Sequence, residues 1–360
     1  MSAAPPSAPR SPISKSARGA TRLAWFRRLV VVALLLCAVV VVLGAWVRLT
    51  AAGLGCPDWP TCYGHFTAGQ ALENADAVNA AYPDRPIDYG KALREMVHRY
   101  AASLLGLVIV VFTVIAFANR REASQPVKLP ALLLLLVVFQ GALGMLTVTW
   151  LLKPLIVTLH LAGGFATLAL LWWLYLRPER RELHHTEMSL RPLALITLFV
   201  VIIQILLGGW TSSNYAAVAC PDFPTCQASW WPEMDYRDAF VLWRGLGIDY
   251  EGGVLDHPAR VAIHFTHRLG AAVTFVVAGL LVLLTIARSR SRRLTVAGIA
   301  LGVALLLQVG IGIATVIEDF PLPLAAAHNA GAALLLLTMV NLLRHLWPSS
   351  STWLRGERHA

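Results

Sequence analysis

The chain has 360 residues and a net charge of +10, with 57% of its residues hydrophobic and only 14% charged. A soluble globular chain carries about 25% charged residues, so the composition excludes an ordinary soluble enzyme. The basic excess sits next to apolar runs, so it reads as a topological signal and does not call for a nucleic-acid partner.

Residues 1–24 are rich in Ser, Pro and Ala with several Arg, which predicts a disordered cytoplasmic tail. Eight apolar stretches follow, at about 29–49, 94–118, 129–150, 155–176, 192–213, 261–286, 294–317 and 323–346. Each is long enough to cross a hydrocarbon core of about 30 Å as a helix. The first is too long for the apolar region of a signal peptide, and no A-x-A-like cleavage site follows it cleanly, so it is read as a retained helix. Cys37 lies inside it as a small packing residue.

After the first stretch comes "CPDWPTC", residues 56–62. The second stretch opens with "EMVHRYAASLLG", which carries Glu95, His98 and Arg99. The third contains "QGALGMLTV" from Gln140, and the fourth carries His160. A polar linker over 177–191 precedes the fifth stretch. "CPDFPTC", residues 220–226, then repeats the cysteine motif. The sixth stretch opens with "HFTHRLGAAVTF", which carries His264, His267 and Arg268. The seventh contains "QVGIGIATV" from Gln308, the eighth carries His328, and a short tail over 348–360 ends the chain.

The motifs recur in the same order and nearly the same register. Gln140 to His160 is 20 residues, as is Gln308 to His328; His98 to Gln140 is 42 and His267 to Gln308 is 41. That is an internal duplication. Each half has an even number of helices, so both enter the membrane from the same side, as a parallel repeat. The expected fold is an all-α polytopic membrane protein of eight transmembrane helices in two pseudo-twofold-related four-helix bundles. The N-terminal half spans 25–176 and the C-terminal half 192–347.

With the N-terminus in the cytoplasm, 20 of the 30 Lys and Arg fall on the cytoplasmic side and 15 of the 20 acids on the other. Both termini are then cytoplasmic and both cysteine loops external, in a multi-pass protein of the cell membrane. An oxidising exterior permits disulfides. The pairs Cys56 and Cys62, and Cys220 and Cys226, are close enough in sequence to close small rings, as structural staples or as redox-active pairs.

Of the eleven histidines, five lie within predicted helices, and four of them obey the repeat: His98 matches His267 and His160 matches His328. Ionisable groups inside a membrane are functional suspects. Each of the four lies one or two turns inside the outer end of its helix. Zinc takes three or four protein ligands; two imidazoles per half in aliphatic surroundings suit a heme iron. The pattern predicts two heme sites, one per half. Arg99 and Arg268 are candidate partners for heme propionates, or side chains reaching for external headgroups. Three residues before His98 stands Glu95; three before His267 stands His264. This spacing places each on the histidine's helix face, so one site has a carboxylate that the other lacks. Glu95 is either chemical or a carboxylate favoured near a helix N-terminus.

Glu-x-x-His-Arg on the second helix, His-Arg on the sixth, histidines on the fourth and eighth, and cysteine pairs in the first and third external loops resemble the heme A synthase family, in its cysteine-containing bacterial branch. The resemblance covers about residues 25–347. It implies an oxidoreductase that converts the C8 methyl of heme O to the formyl of heme A, with oxygen from water, for terminal oxidases. It implies a cofactor heme b held by His267 and His328, substrate heme held by His98 and His160, Glu95 as the catalytic residue, and the cysteine pairs as disulfides. Heme O synthase is then a candidate partner, and an electron acceptor is required whose identity the sequence leaves open. His264 receives no role from the resemblance. A diheme cytochrome b carrying electrons, needing no Glu95, and a repeat-built transporter are the rival readings.

Overall fold

A computed structural model describes residues 17–122, 124–176 and 183–347. Eight long helices account for the apolar stretches: α1 Ala17–Leu49, α4 Tyr89–Ala118, α5 Lys128–Thr149, α6 Pro154–Tyr175, α8 Arg191–Ser213, α10 His257–Arg288, α11 Arg292–Ile317 and α12 Leu322–Leu346. All eight are long and apolar enough to span a bilayer, and no strand occurs among the described residues. The chain is an all-helical, multi-pass membrane protein. Short helices decorate the connections: α2 Ala68–Glu73, α3 Ala75–Ala81, α7 His185–Met188 and α9 Tyr236–Ala239.

Local chemistry sets the helix ends. Asp88 caps α4 by accepting a hydrogen bond from the Lys91 amide at 3.0 Å, which satisfies an otherwise orphaned donor. Proline stands in the first turn of α6, α8, α10 and α12, where its missing N–H costs nothing. Two starts differ from expectation. Helix α1 begins at Ala17, inside the segment expected as tail; the rest of that tail, part of the linker and the C-terminal tail lie outside the described residues. Helix α10 begins at His257, ahead of the expected start at about 261, with Asp256 at the cap position and Pro258 in its first turn.

The helices pack in matching pairs. In the first half α1 lies against α4 and α6, and α5 against α4 and α6. In the second, α8 lies against α10 and α12, and α11 against α10 and α12. Between the halves α6 meets α8 and α12, and α12 meets α1. The core is densest toward the end opposite the cysteine loops, where Phe112, Leu171, Leu281, Met339 and Leu346 are fully buried and Phe26 packs edge-on to Phe112 at 5.7 Å. Cys37 is buried in this core. Leu35, Val138, Phe199, Val276 and Leu306 instead stay exposed on the outer surface, as helices need when their outer solvent is lipid.

Both cysteine loops lie at one end of the helices, and there the halves are laced together. Arg85 reaches Asp249 at 2.5 Å and Glu251 at 3.2 Å. The Tyr250 amide donates to the Leu151 carbonyl at 3.1 Å. Lys153, almost wholly buried, donates to the Gly245 carbonyl and lies 3.3 Å from the centre of the Trp243 ring. Residues 243–251 thus form a cover over the α5–α6 turn. Burial in this corner holds the Lys153 ammonium below its ordinary pKa.

Candidate active site

The four matched histidines come together in two pairs. His98 on α4 and His160 on α6 have ring centres 6.4 Å apart with planes at 85°. His267 on α10 and His328 on α12 also stand 6.4 Å apart, at 86°. An ion bridging two imidazole nitrogens at about 2 Å each, with about 1.2 Å from nitrogen to ring centre, needs about 6.4 Å between ring centres. Among the described residues, no three His, Cys, Asp or Glu side chains are grouped to hold an ion, so each pair offers two imidazoles and no closed zinc cage.

Each histidine faces a glycine on a neighbouring helix. A Cβ at Gly44, Gly144, Gly208 or Gly312 would stand 3.0, 3.5, 3.2 or 2.8 Å from Cε1 of His98, His160, His267 or His328. These glycines let the imidazole edge sink against backbone. The Nδ1 atoms of His98, His160 and His328 are buried there. Backbone carbonyls of Val40, Gln140 and Gln308 lie near these rings, while the three Nδ1 atoms themselves make no hydrogen bond. All four residues remain partly exposed, and His328 Nε2 lies 3.4 Å from Gln308 Nε2. Paired rings, a glycine cradle for each, and buried Nδ1 atoms awaiting a partner fit axial ligation of heme iron through Nε2.

The cysteines form two disulfides, Cys56–Cys62 and Cys220–Cys226, each with Cα atoms 4.7 Å apart. An aspartate folds each ring. Asp58 accepts from the amides of Tyr63 at 2.6 Å and Gly64 at 2.9 Å and from the Thr61 hydroxyl. Asp222 accepts from the amides of Gln227 at 2.5 Å and Ala228 at 3.0 Å and from the Thr225 hydroxyl. The Thr225 bond foremost, with the amides, holds the Asp222 carboxyl below its usual pKa.

The arginines join loops to helices. Arg99 donates to the carbonyls of Asp58 at 3.0 Å, Pro60 at 3.3 Å and Thr61 at 2.7 Å. Arg268 donates to those of Thr225 at 2.7 Å and Cys220 at 2.9 Å. Glu95, nearly fully buried, accepts from the Cys56 amide at 2.9 Å and pairs with Arg99 at 2.5 Å. In the second half His264 takes that place and accepts from Arg268 at 3.2 Å. The asymmetry between the sites therefore lies in the side chain that backs the arginine and its loop. Gly55 allows the contact: a Cβ there would stand 2.6 Å from the Lys91 backbone.

The sequence reading paired Glu95 with His98 but missed its pairing with Arg99, although four-residue spacing on a helix was available as a signal. It also missed the facing glycines, which stand in both copies of the repeat.

The COX15-CtaA family model, described as cytochrome oxidase assembly protein, matches residues 27–340. A heme A synthase of Shewanella oneidensis is 45% identical over 92% of this chain and 98% of its own length. Heme A synthases of Methylobacterium radiotolerans and Paracoccus denitrificans are 32% and 30% identical, over 87% and 95% of this chain and 87% and 92% of theirs. With the family matched along almost its whole membrane region, the chain belongs to the COX15-CtaA family, alongside the heme A synthases.

Proposed function

We propose that this protein is a heme A synthase, oxidising the C8 methyl of heme O to a formyl group by successive hydroxylations with water as the oxygen source. The observation that carries this reading is the pair of matched histidine sites, of which one alone is backed by a carboxylate. His98 and His160 are the proposed ligands of the substrate heme, and His267 and His328 those of a resident heme b. When bound, heme b supplies a one-electron acceptor. The matching helix pairs and glycine–histidine contacts support two four-helix bundles related by a pseudo-twofold axis. The charge distribution supports external cysteine loops, cytoplasmic termini and a place in the cell membrane.

The residues do the following. The histidines hold the substrate ring by its iron and fix its plane. Glu95, one turn from His98, would bring a carboxylate beside the bound substrate. The negative charge offsets the positive charge that develops, and the carboxylate takes a proton from the attacking water. The Cys56 amide and Arg99 fix the carboxylate's position. Arg99 and Arg268 are the cations proposed for the heme propionates, beside their hold on the loops. Heme O reaches the site between lipid-facing helices, and electrons leave to an acceptor outside this chain.

The test is chromatography of hemes extracted from cells that express the protein beside a heme O source. Glu95→Gln keeps shape and removes charge and base. It should lower heme A formation by about 100-fold while substrate and heme b remain bound. Near-normal heme A at equal protein level would return Glu95 to a structural tie for the Cys56 loop. A protein that carries heme b and never heme O or heme A would instead be a diheme electron carrier.

A further inference from the structure

The two histidine sites differ a second time, on the face away from Glu95 and His264. In the C-terminal half, Gln204 on α8 reaches across to His267. Its Nε2 lies 3.1 Å from His267 Nδ1 and 3.0 Å from the His267 carbonyl oxygen. Its Oε1 is buried without a partner. Gly270, three residues beyond His267, makes the room: a Cβ there would stand 2.3 Å from Oε1. The register that matches Gly44 to Gly208 and His98 to His267 puts Val40 opposite Gln204 and Ala101 opposite Gly270. The N-terminal site therefore has no side-chain amide at this position and no glycine to admit one; the Val40 backbone carbonyl is the group near His98 there. Gln140 and Gln308 occur in both halves, so they cannot set the halves apart.

We propose that Gln204 is the positioning residue that makes the C-terminal site a permanent heme site, and that Val40 and Ala101 leave the N-terminal site free to exchange its heme. This rests on the reading of the histidine pairs as axial ligands. Ligation through Nε2 requires the proton on Nδ1. A half-turn of the Gln204 amide then brings Oε1 to the Nδ1–H, which gives the orphaned acceptor its donor. The His267 carbonyl keeps its partner within α10. The new bond fixes the ring plane and tautomer and raises the basicity of the ligating nitrogen. Loss of such a partner typically weakens metal binding about 10- to 100-fold. A cofactor site gains from that hold. A substrate site, which must release product at each turnover, gains from a weaker one.

The experiment uses the full-length protein purified with its heme b. Heme release to an excess of a scavenging apoglobin and the midpoint potential of the bound heme are measured in wild type, Gln204→Leu and Gln204→Glu. Gln204→Leu should release the resident heme about 10- to 100-fold faster and raise its potential. The near-isosteric Gln204→Glu, a stronger acceptor, should retain the heme and lower the potential. Opposite shifts from one position would not come from packing alone. Val40→Gln with Ala101→Gly should slow heme release from the N-terminal site. Release rates and potentials equal to wild type in both Gln204 variants would overturn the inference while leaving the ligand assignment intact. A resident heme signal that survives His267→Ala would overturn the ligand assignment, and this inference with it.

Discussion

Gly312 approaches His328 so closely that one added methyl group must move the ring or the helix. A Cβ there would stand 2.8 Å from the imidazole, against 3.0 Å at Gly44, 3.2 Å at Gly208 and 3.5 Å at Gly144. Overpacking of this kind costs about 1–3 kcal/mol, and here it falls on a proposed ligand. Alanine substitutions should therefore form a graded series. Gly312→Ala should remove most of the resident heme absorbance, and Gly208→Ala should weaken it. Gly44→Ala should spare that absorbance and lower heme A formation, while Gly144→Ala should be close to neutral. Gly279→Ala, with open space around its Cβ position, is the control. Optical spectra at equal protein concentration decide the matter, and a Gly312→Ala spectrum matching the control would show that the ring yields freely.

The helices were legible because hydropathy over about 20 residues is a strong signal, and the cysteine loops because the same seven-residue motif is written twice. How each loop is held was less legible. Asp58 and Asp222 fold their rings by accepting amide protons, and Arg99 and Arg268 reach in from α4 and α10. The motif spacing gives the ring size, but not which helix faces it. Thiol labelling of the denatured, unreduced protein should modify Cys37 alone, since the other four cysteines are paired; labelling of all five would disprove the pairing. The Asp222 carboxyl has a folded pKa below its unfolded value. Its contribution is therefore complete above about pH 4 and is lost as pH falls through the folded pKa. Amide exchange at Gln227 and Ala228, corrected for intrinsic rates, should accelerate over that acidic range, and Asp222→Asn should remove the dependence.

Across the whole molecule, the two halves share their geometry but not their proposed tasks. His267→Ala or His328→Ala should abolish the resident low-spin heme spectrum, since a bis-imidazole site loses an axial ligand. His98→Ala or His160→Ala should leave that spectrum and stop heme A formation. If all four changes erased the same spectrum, one site would be drawing ligands from both halves. The duplication was readable from motif order, and with it the pairing of histidines, because equivalent positions in a repeat occupy equivalent places. The lacing between the halves was not readable, because Arg85, Lys153, Trp243 and Tyr250 belong to loop segments outside the matched motifs.

That lacing bears on how such a protein could arise and whether it could revert. An ancestor half this length, pairing with its own copy, could exchange partners and return to single subunits. Here Trp243 and Tyr250 from the second half cover the α5–α6 turn of the first, and Arg85 from the first is answered by Asp249 and Glu251 of the second. Each half has handed part of its own outer surface to the other. Halves made as separate chains would each expose surface that the other now covers, so neither is self-sufficient.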